Sequence, residues 1–205
     1  MTQITTKLHT YEEFMEWFPN DGKRYELHDG EIIEMPPPIG DHEEVTGFLV
    51  IQIASELSRL KLPYIIPKTA FVKTPNATSV YSPDVLVVNL ANLHNESLWK
   101  KESTLTQAQS VPLVVEVVST NWQDDYHKKF ADYELMGIPE YWITDYAGLG
   151  GREFIGNPKQ PAMFVCSLVD GEYVRTMFRG DNPMVSPTFP QLNLTAQQIF
   201  DTGKQ

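Results

Sequence analysis

The run Pro112-Leu113-Val114-Val115-Glu116-Val117-Val118-Ser119 is apolar over a full strand length except at Glu116. A strand alternates its side chains between two faces, so Leu113, Val115 and Val117 share one face while Val114, Glu116 and Val118 share the other. Both faces are apolar, so the strand has to be interior and covered on both sides, as in a sheet flanked by helices. Glu116 then sits between two valines, where an unpaired charge costs on the order of several kcal/mol. Something has to neutralise it, and either a metal ion or a lysine would serve.

The rest of the chain supplies the elements for such a sheet. Thr10 and Glu13 have capping-box spacing ahead of Tyr11, Phe14, Met15 and Phe18, which predicts a short amphipathic helix. Segments 24–28 and 31–35 flank Asp29-Gly30, the signal of a tight hairpin, and Pro36-Pro37-Pro38 stops the second strand. Val45, Leu49, Ile53, Leu57 and Leu60 recur at helical spacing and predict the longest helix, over 41–60. Strands are expected over 64–73 and 83–88, separated by a turn at Pro75-Asn76-Ala77-Thr78. Segment 89–110 reads as a loop with one helical turn near 93–100.

After the central strand come a helix over 124–136, a stop at Gly137-Ile138-Pro139 and a strand over 140–145. A glycine-containing loop at 148–151 lacks the strand-to-helix setting of a phosphate cradle. A terminal hairpin (163–168 and 172–178, joined at Asp170-Gly171) and a last short helix over 195–200 complete the order. The fold class is α/β (mixed α+β), with a central mixed sheet flanked by helices and hairpin additions at both ends.

Length and composition favour one domain over residues 1–205, with hydrophobic residues at 41% and charged residues at 21%. The single Cys166 excludes an internal disulfide framework, and the five histidines lack zinc-ligand spacing. Met1 to Glu13 lacks a secretory pattern and no apolar run reaches membrane-spanning length, so the expectation is a cytoplasmic protein with no membrane partner. A formal charge of -11 argues against a simple nucleic-acid-coating module, but less against an enzyme whose acidic residues hold a metal.

Three residues converge on a candidate site. Asp84 follows Pro83 at the entry of an apolar strand, and if that strand neighbours the central one, Asp84 and Glu116 could share a hard divalent cation. On the helix over 124–136, Tyr126, Phe130 and Tyr133 fall within one arc that must pack on the sheet. Lys129 borders that arc and Lys128 points away from it, so Lys129 can reach the carboxylates while Lys128 is a solvated surface charge. Asp125, Lys129 and Tyr133 share one side of the helix at four-residue spacing. Trp99 and Trp122 could stack on bases, although loop packing explains them as well.

With these residues in view, the chain resembles the Uma family of restriction endonucleases, within the PD-(D/E)xK nuclease superfamily. The resemblance rests on Tyr25-Glu26-Leu27 with Asp29-Gly30-Glu31, His42 opening a helix, Pro83-Asp84, Glu116-Val117-Val118-Ser119, Asp125 with Lys129 and Tyr133, 137–145, and the tail 189–194. It implies a metal-dependent endonuclease acting on DNA, with Mg²⁺ or Mn²⁺ on Asp84, Glu116 and the main-chain carbonyl of Val117, and Lys129 as the catalytic base partner. Val118 stands where the superfamily carries its lysine, so Lys129 has to supply that function from the next helix. Glu31, His42 and Ser119, with Asp125 and Tyr133, are near-site candidates, and a homodimer is expected from related nucleases. The alternatives are an inactive nuclease-fold domain that binds nucleic acid or protein, and a hydrolase of small phosphate esters.

Overall fold

The structure, a computed structural model, describes residues 7–76 and 78–203. Residues 1–6, in the segment read for a leader, and Ala77, in the expected turn, lie outside them. Helix α1 (Tyr11–Trp17) starts with the anticipated capping box between Thr10 and Glu13. The hairpin β1 (Arg24–His28) and β2 (Glu31–Met35) turns at Asp29 and Gly30, both at positive φ. Helix α2 (Gly40–Leu60) buries Val45, Leu49, Ile53 and Leu57, the stripe its spacing predicted.

The expected strand over 64–73 is two strands in two sheets. β3 (Tyr64–Ile65) pairs with the central sheet and β4 (Phe71–Lys73) with another, and Pro67, which cannot donate to a ladder, lies between them. β5 (Val80–Tyr81) is too short for a periodic signal, and β6 (Val85–Asn89) follows it. Segment 89–110, expected as a loop with one helical turn near 93–100, holds two 3-10 turns, α3 (Trp99–Glu102) and β7 (Thr104–Leu105). Then come β8 (Leu113–Val117), a π-helical turn (Asp124–Lys128), α4 (Lys129–Met136) and β9 (Glu140–Asp145). The chain finishes with α5 (Arg152–Ile155), the hairpin β10 (Ala162–Val169) with β11 (Glu172–Phe178), and α6 (Ala196–Thr202).

The strands form a six-stranded sheet in the order β11-β10-β9-β8-β6-β3 and a five-stranded sheet in the order β2-β1-β5-β4-β7. The C-terminal hairpin therefore extends the central sheet, while the N-terminal hairpin builds the second. β8 lies between β9, parallel to it, and β6, antiparallel. All five of its residues are buried. Val115 and Val117 pack with the apolar stripe of α2 on one face, and Val114 and Val118 pack with Tyr133 and Tyr141 on the other. This is the two-sided cover that the apolar run required.

Helix α4 ends in a Schellman arrangement, with Ile138 N–H donating to Tyr133 O and Gly137 at φ 84°. Among the described residues no helix is long and apolar enough to cross a membrane.

Candidate active site

The register of the central sheet brings the two carboxylates together. Val85 pairs with Val115, so one step along the antiparallel ladder sets Asp84 opposite Glu116. Asp84 Oδ2 accepts the Val117 N–H at 2.9 Å, which ties the mouth of β6 to the end of β8. Tyr133 OH donates to Glu116 Oε1 at 3.1 Å. Lys129 Nζ reaches the same oxygen at 3.1 Å, and lies 3.4 Å from Glu26 Oε2 and 3.7 Å from Asp125 Oδ1. Val118, in the usual lysine position, is fully buried in the apolar layer beneath α4.

The π-helical turn before α4 is what aims Lys129. An extra residue in one turn rotates the helix that follows, and such turns recur at functional sites. The buried residues of this segment are Asp125, Tyr126, Lys129 and Tyr133, whereas Phe130 is only half-buried. The inner face is thus centred on Lys129 rather than beside it. Lys128 is not simply solvated: its ammonium pairs with Asp29 on the β1–β2 turn.

His42, near the start of α2, faces the same spot, with Nε2 donating to Val117 O at 3.0 Å and lying 3.4 Å from Asp84 Oδ2. Ser119 lines the cavity above the carboxylates and donates to Asn121 Oδ1. Glu31 is not brought to this site. It is exposed on β2 and borders a separate shallow hollow with His28, Asp29, Ile33, Asp124 and Lys128.

Two residues escaped the sequence reading as site components. Glu26, on β1 of the second sheet, is fully buried, and its Oε1 accepts the Ser82 N–H at 2.9 Å while Oε2 faces His28 Nε2 at 2.8 Å. Its position between Tyr25 and Leu27 reads as the solvent side of a hairpin, because alternation alone cannot show that both faces of β1 are covered. Arg24 anchors to Ser82 O at 2.8 Å and stands 3.4 Å from Asp84 Oδ1 at the rim of the cavity.

The electrostatics follow from three buried carboxylates around one buried ammonium, with the partly buried Asp84 nearby. Burial would lower Lys129, but Glu116, Glu26, Asp125 and Asp84 outweigh it and hold the amine well above its ordinary value, fully charged. Burial pushes Glu116 up to about 7, with Lys129 opposing and Asp84 and Glu26 adding to the rise. Asp125 is driven up by burial too, against the pull of Lys129. Burial also acts to raise Asp84, yet the hydrogen bond and charge of His42, with Arg24 and Lys129, keep it below the usual carboxylate range.

The carboxylates present are oxygen donors of the kind a magnesium-type ion takes, and they do not form a dedicated metal cage. Among the described residues, no group of three or more His, Cys, Asp or Glu side chains is arranged to hold a metal. Mg²⁺ keeps several waters and needs only one or two carboxylates; Asp84 and Glu116 stand opposite one another on adjacent strands, and the Val117 carbonyl beside them accepts from His42 Nε2. The hydrogen bonds to Glu116 fall on Oε1.

A mixed sheet with helices packed on it and paired carboxylates at one strand end defines a restriction-endonuclease-like protein. The chain belongs to the Uma2 family, described as "Putative restriction endonuclease", which matches residues 11–197. It is similar in structure to a protein from Anabaena variabilis described as a "putative nuclease belonging to DUF820". The TM-score is 0.72 at 18% identity, over 95% of this chain and 98% of that one, a likeness of fold. No curated protein matches the chain.

Proposed function

We propose that the protein is a divalent-metal-dependent endonuclease that hydrolyses phosphodiester bonds in DNA, with Asp84, Glu116 and the Val117 carbonyl holding Mg²⁺ or Mn²⁺. One observation carries the reading: Lys129 Nζ, from the following helix, lies 3.1 Å from Glu116 and so supplies the cation that Val118 cannot. A bound cation would lower the pKa of a coordinated water and offset charge on the phosphate.

The chain's own residues set the rest. Lys129 is held as an ammonium by three carboxylates, so it acts as a fixed positive charge and hydrogen-bond donor toward the reacting phosphate rather than as a proton acceptor. Tyr133 and Lys129 fix Glu116 from one side, and Val117 N–H with Arg24 fixes Asp84. The water oxygen forms the new P–O bond as one ester P–O bond breaks, and the departing oxygen leaves protonated.

The test is cleavage of supercoiled and single-stranded DNA in Mg²⁺ or Mn²⁺. Cleavage is expected from the wild type and lost in Asp84→Ala and Glu116→Ala; cleavage that persists in both variants removes the assignment.

A further inference from the structure

The carboxylates stand at the floor of a cavity of about 570 Å³. That volume lies within the range of roughly 300 to 1,000 Å³ typical of small-ligand pockets. Glu116 is only 2% exposed at the floor. Met35 to Ile39, including three consecutive prolines, form one apolar wall, and Tyr146, Leu149 and Pro161 line the cavity as well. Two lining residues carry a permanent positive charge: Lys129, committed to three buried carboxylates, and Arg24, whose side chain is 40% exposed.

We infer that this cavity receives one unpaired nucleotide, so that the substrate class is single-stranded or locally unpaired DNA rather than intact duplex. The inference rests on the phosphodiester reading above and adds to it the form in which the substrate arrives. A paired nucleotide has both faces of its base covered by stacking and its phosphate on a convex outer surface. To bring that phosphate to the cavity floor the nucleotide must leave the stack, at a cost of a few kcal/mol, about what base-flipping enzymes expend. An unpaired strand avoids that cost.

The walls suit such a guest. The exposed proline rings and Ile39 offer apolar contact to any base, while Arg24 at the rim can meet a flanking phosphate. Charge points the same way. A chain of formal charge -11 repels a duplex, whose phosphates follow one another closely on two strands, more than it repels a single strand of the same length with half the phosphates.

Fluorescence anisotropy with a short fluorescein-labelled single strand, and with the same strand annealed into a blunt duplex, tests this, with Ca²⁺ replacing Mg²⁺ to hold back hydrolysis. The single strand is expected to bind roughly tenfold tighter or better, reflecting the cost of extruding a base. Ile39→Glu, at a wall position that is 64% exposed and therefore tolerant of substitution, and Arg24→Gln should each weaken single-strand binding by roughly fivefold. Equal affinity for the two DNAs, no binding of either, or unchanged binding by both variants overturns the inference.

A parallel cleavage assay in Mg²⁺ separates it from the reading on which it rests. Selective binding of the single strand without cleavage removes the hydrolysis and leaves the cavity assignment standing. Cleavage of duplex as fast as single strand removes the cavity assignment and leaves the hydrolysis.

Discussion

Lys129 Nζ lies 3.1 Å from Glu116 Oε1, a contact between the first residue of α4 and the fourth residue of β8. Both side chains are 3% exposed, so the pair is buried, and its worth depends on the partners that complete it. Glu26 and Asp125 complete the shell around the ammonium, and Tyr133 donates to the carboxylate.

The two lysines of this helix therefore separate in their effects. Lys129→Ala strands three buried carboxylates and should abolish turnover and destabilise the fold by about 3 to 5 kcal/mol, the usual cost of breaking a buried pair. Lys128→Ala removes a pair with the exposed Asp29 and should cost no more than about 1 kcal/mol, with turnover kept. Urea unfolding and plasmid cleavage on both variants measure this; equal losses would show that the π-helical turn does not aim Lys129 as described.

Glu26→Gln tests the contribution of the second sheet. The amide keeps the shape and can still accept the Ser82 N–H, but loses the charge that shares the Lys129 ammonium with Glu116. The ammonium should settle further onto Glu116, and kcat should fall by roughly tenfold or more with KM little changed, because Glu26 positions Lys129, whose charge acts on the reacting phosphate, and takes no part in substrate binding. A change confined to KM would place Glu26 outside the reaction.

Metal removal should register in stability as well as activity. An ion that binds only the folded protein adds about 2.7 kcal/mol at a concentration a hundredfold above its Kd. For a chain of this size that is roughly 5 to 10 °C in Tm. Thermal melts of EDTA-treated protein, with and without Mn²⁺, should show this rise in the wild type and none in Glu116→Gln; no rise in either would leave Asp84 and Glu116 without a metal to hold.

The pH dependence of the metal-free protein follows from Glu116. Its carboxyl is pushed up to about 7 from an ordinary 4.5, chiefly by burial, so the folded state holds the proton more tightly than the unfolded chain does. Its contribution to stability is then fully present below about pH 4.5 and is lost as the pH rises to about 7, beyond which it stays lost. The unfolding free energy of wild type minus that of Glu116→Gln, measured in EDTA, should fall by up to ~3 kcal/mol across that interval. A flat difference would mean that Glu116 is ionised throughout.

Much of the architecture could be read from periodicity. The two-sided apolar run at 113–117, the stripe along α2 and the hairpin turns at Asp29-Gly30 and Asp170-Gly171 are local patterns, and each formed where expected. Two-residue strands gave no such signal. β3, β5 and β7 exist because neighbouring strands offer free ladder positions, and the choice between two sheets at 64–73 depends on where the chain goes after Pro67. The glycine loop at 148–151 likewise shows its purpose only in three dimensions. The Leu149 and Gly150 N–H groups donate to the Asp145 carboxylate, which occupies the place an external anion would need.

The site divides in the same way. The sequence by itself determined that Glu116 would be buried and in need of neutralisation, because an acid inside an apolar strand has lost its water, and helical spacing favoured Lys129 over Lys128. Only the tertiary structure decided that Asp84 lies opposite Glu116, that Glu31 stays on the surface, and that Glu26 enters from a second sheet. Register and sheet packing depend on contacts between residues far apart in the chain, and those contacts leave no period in the sequence for a reader to find.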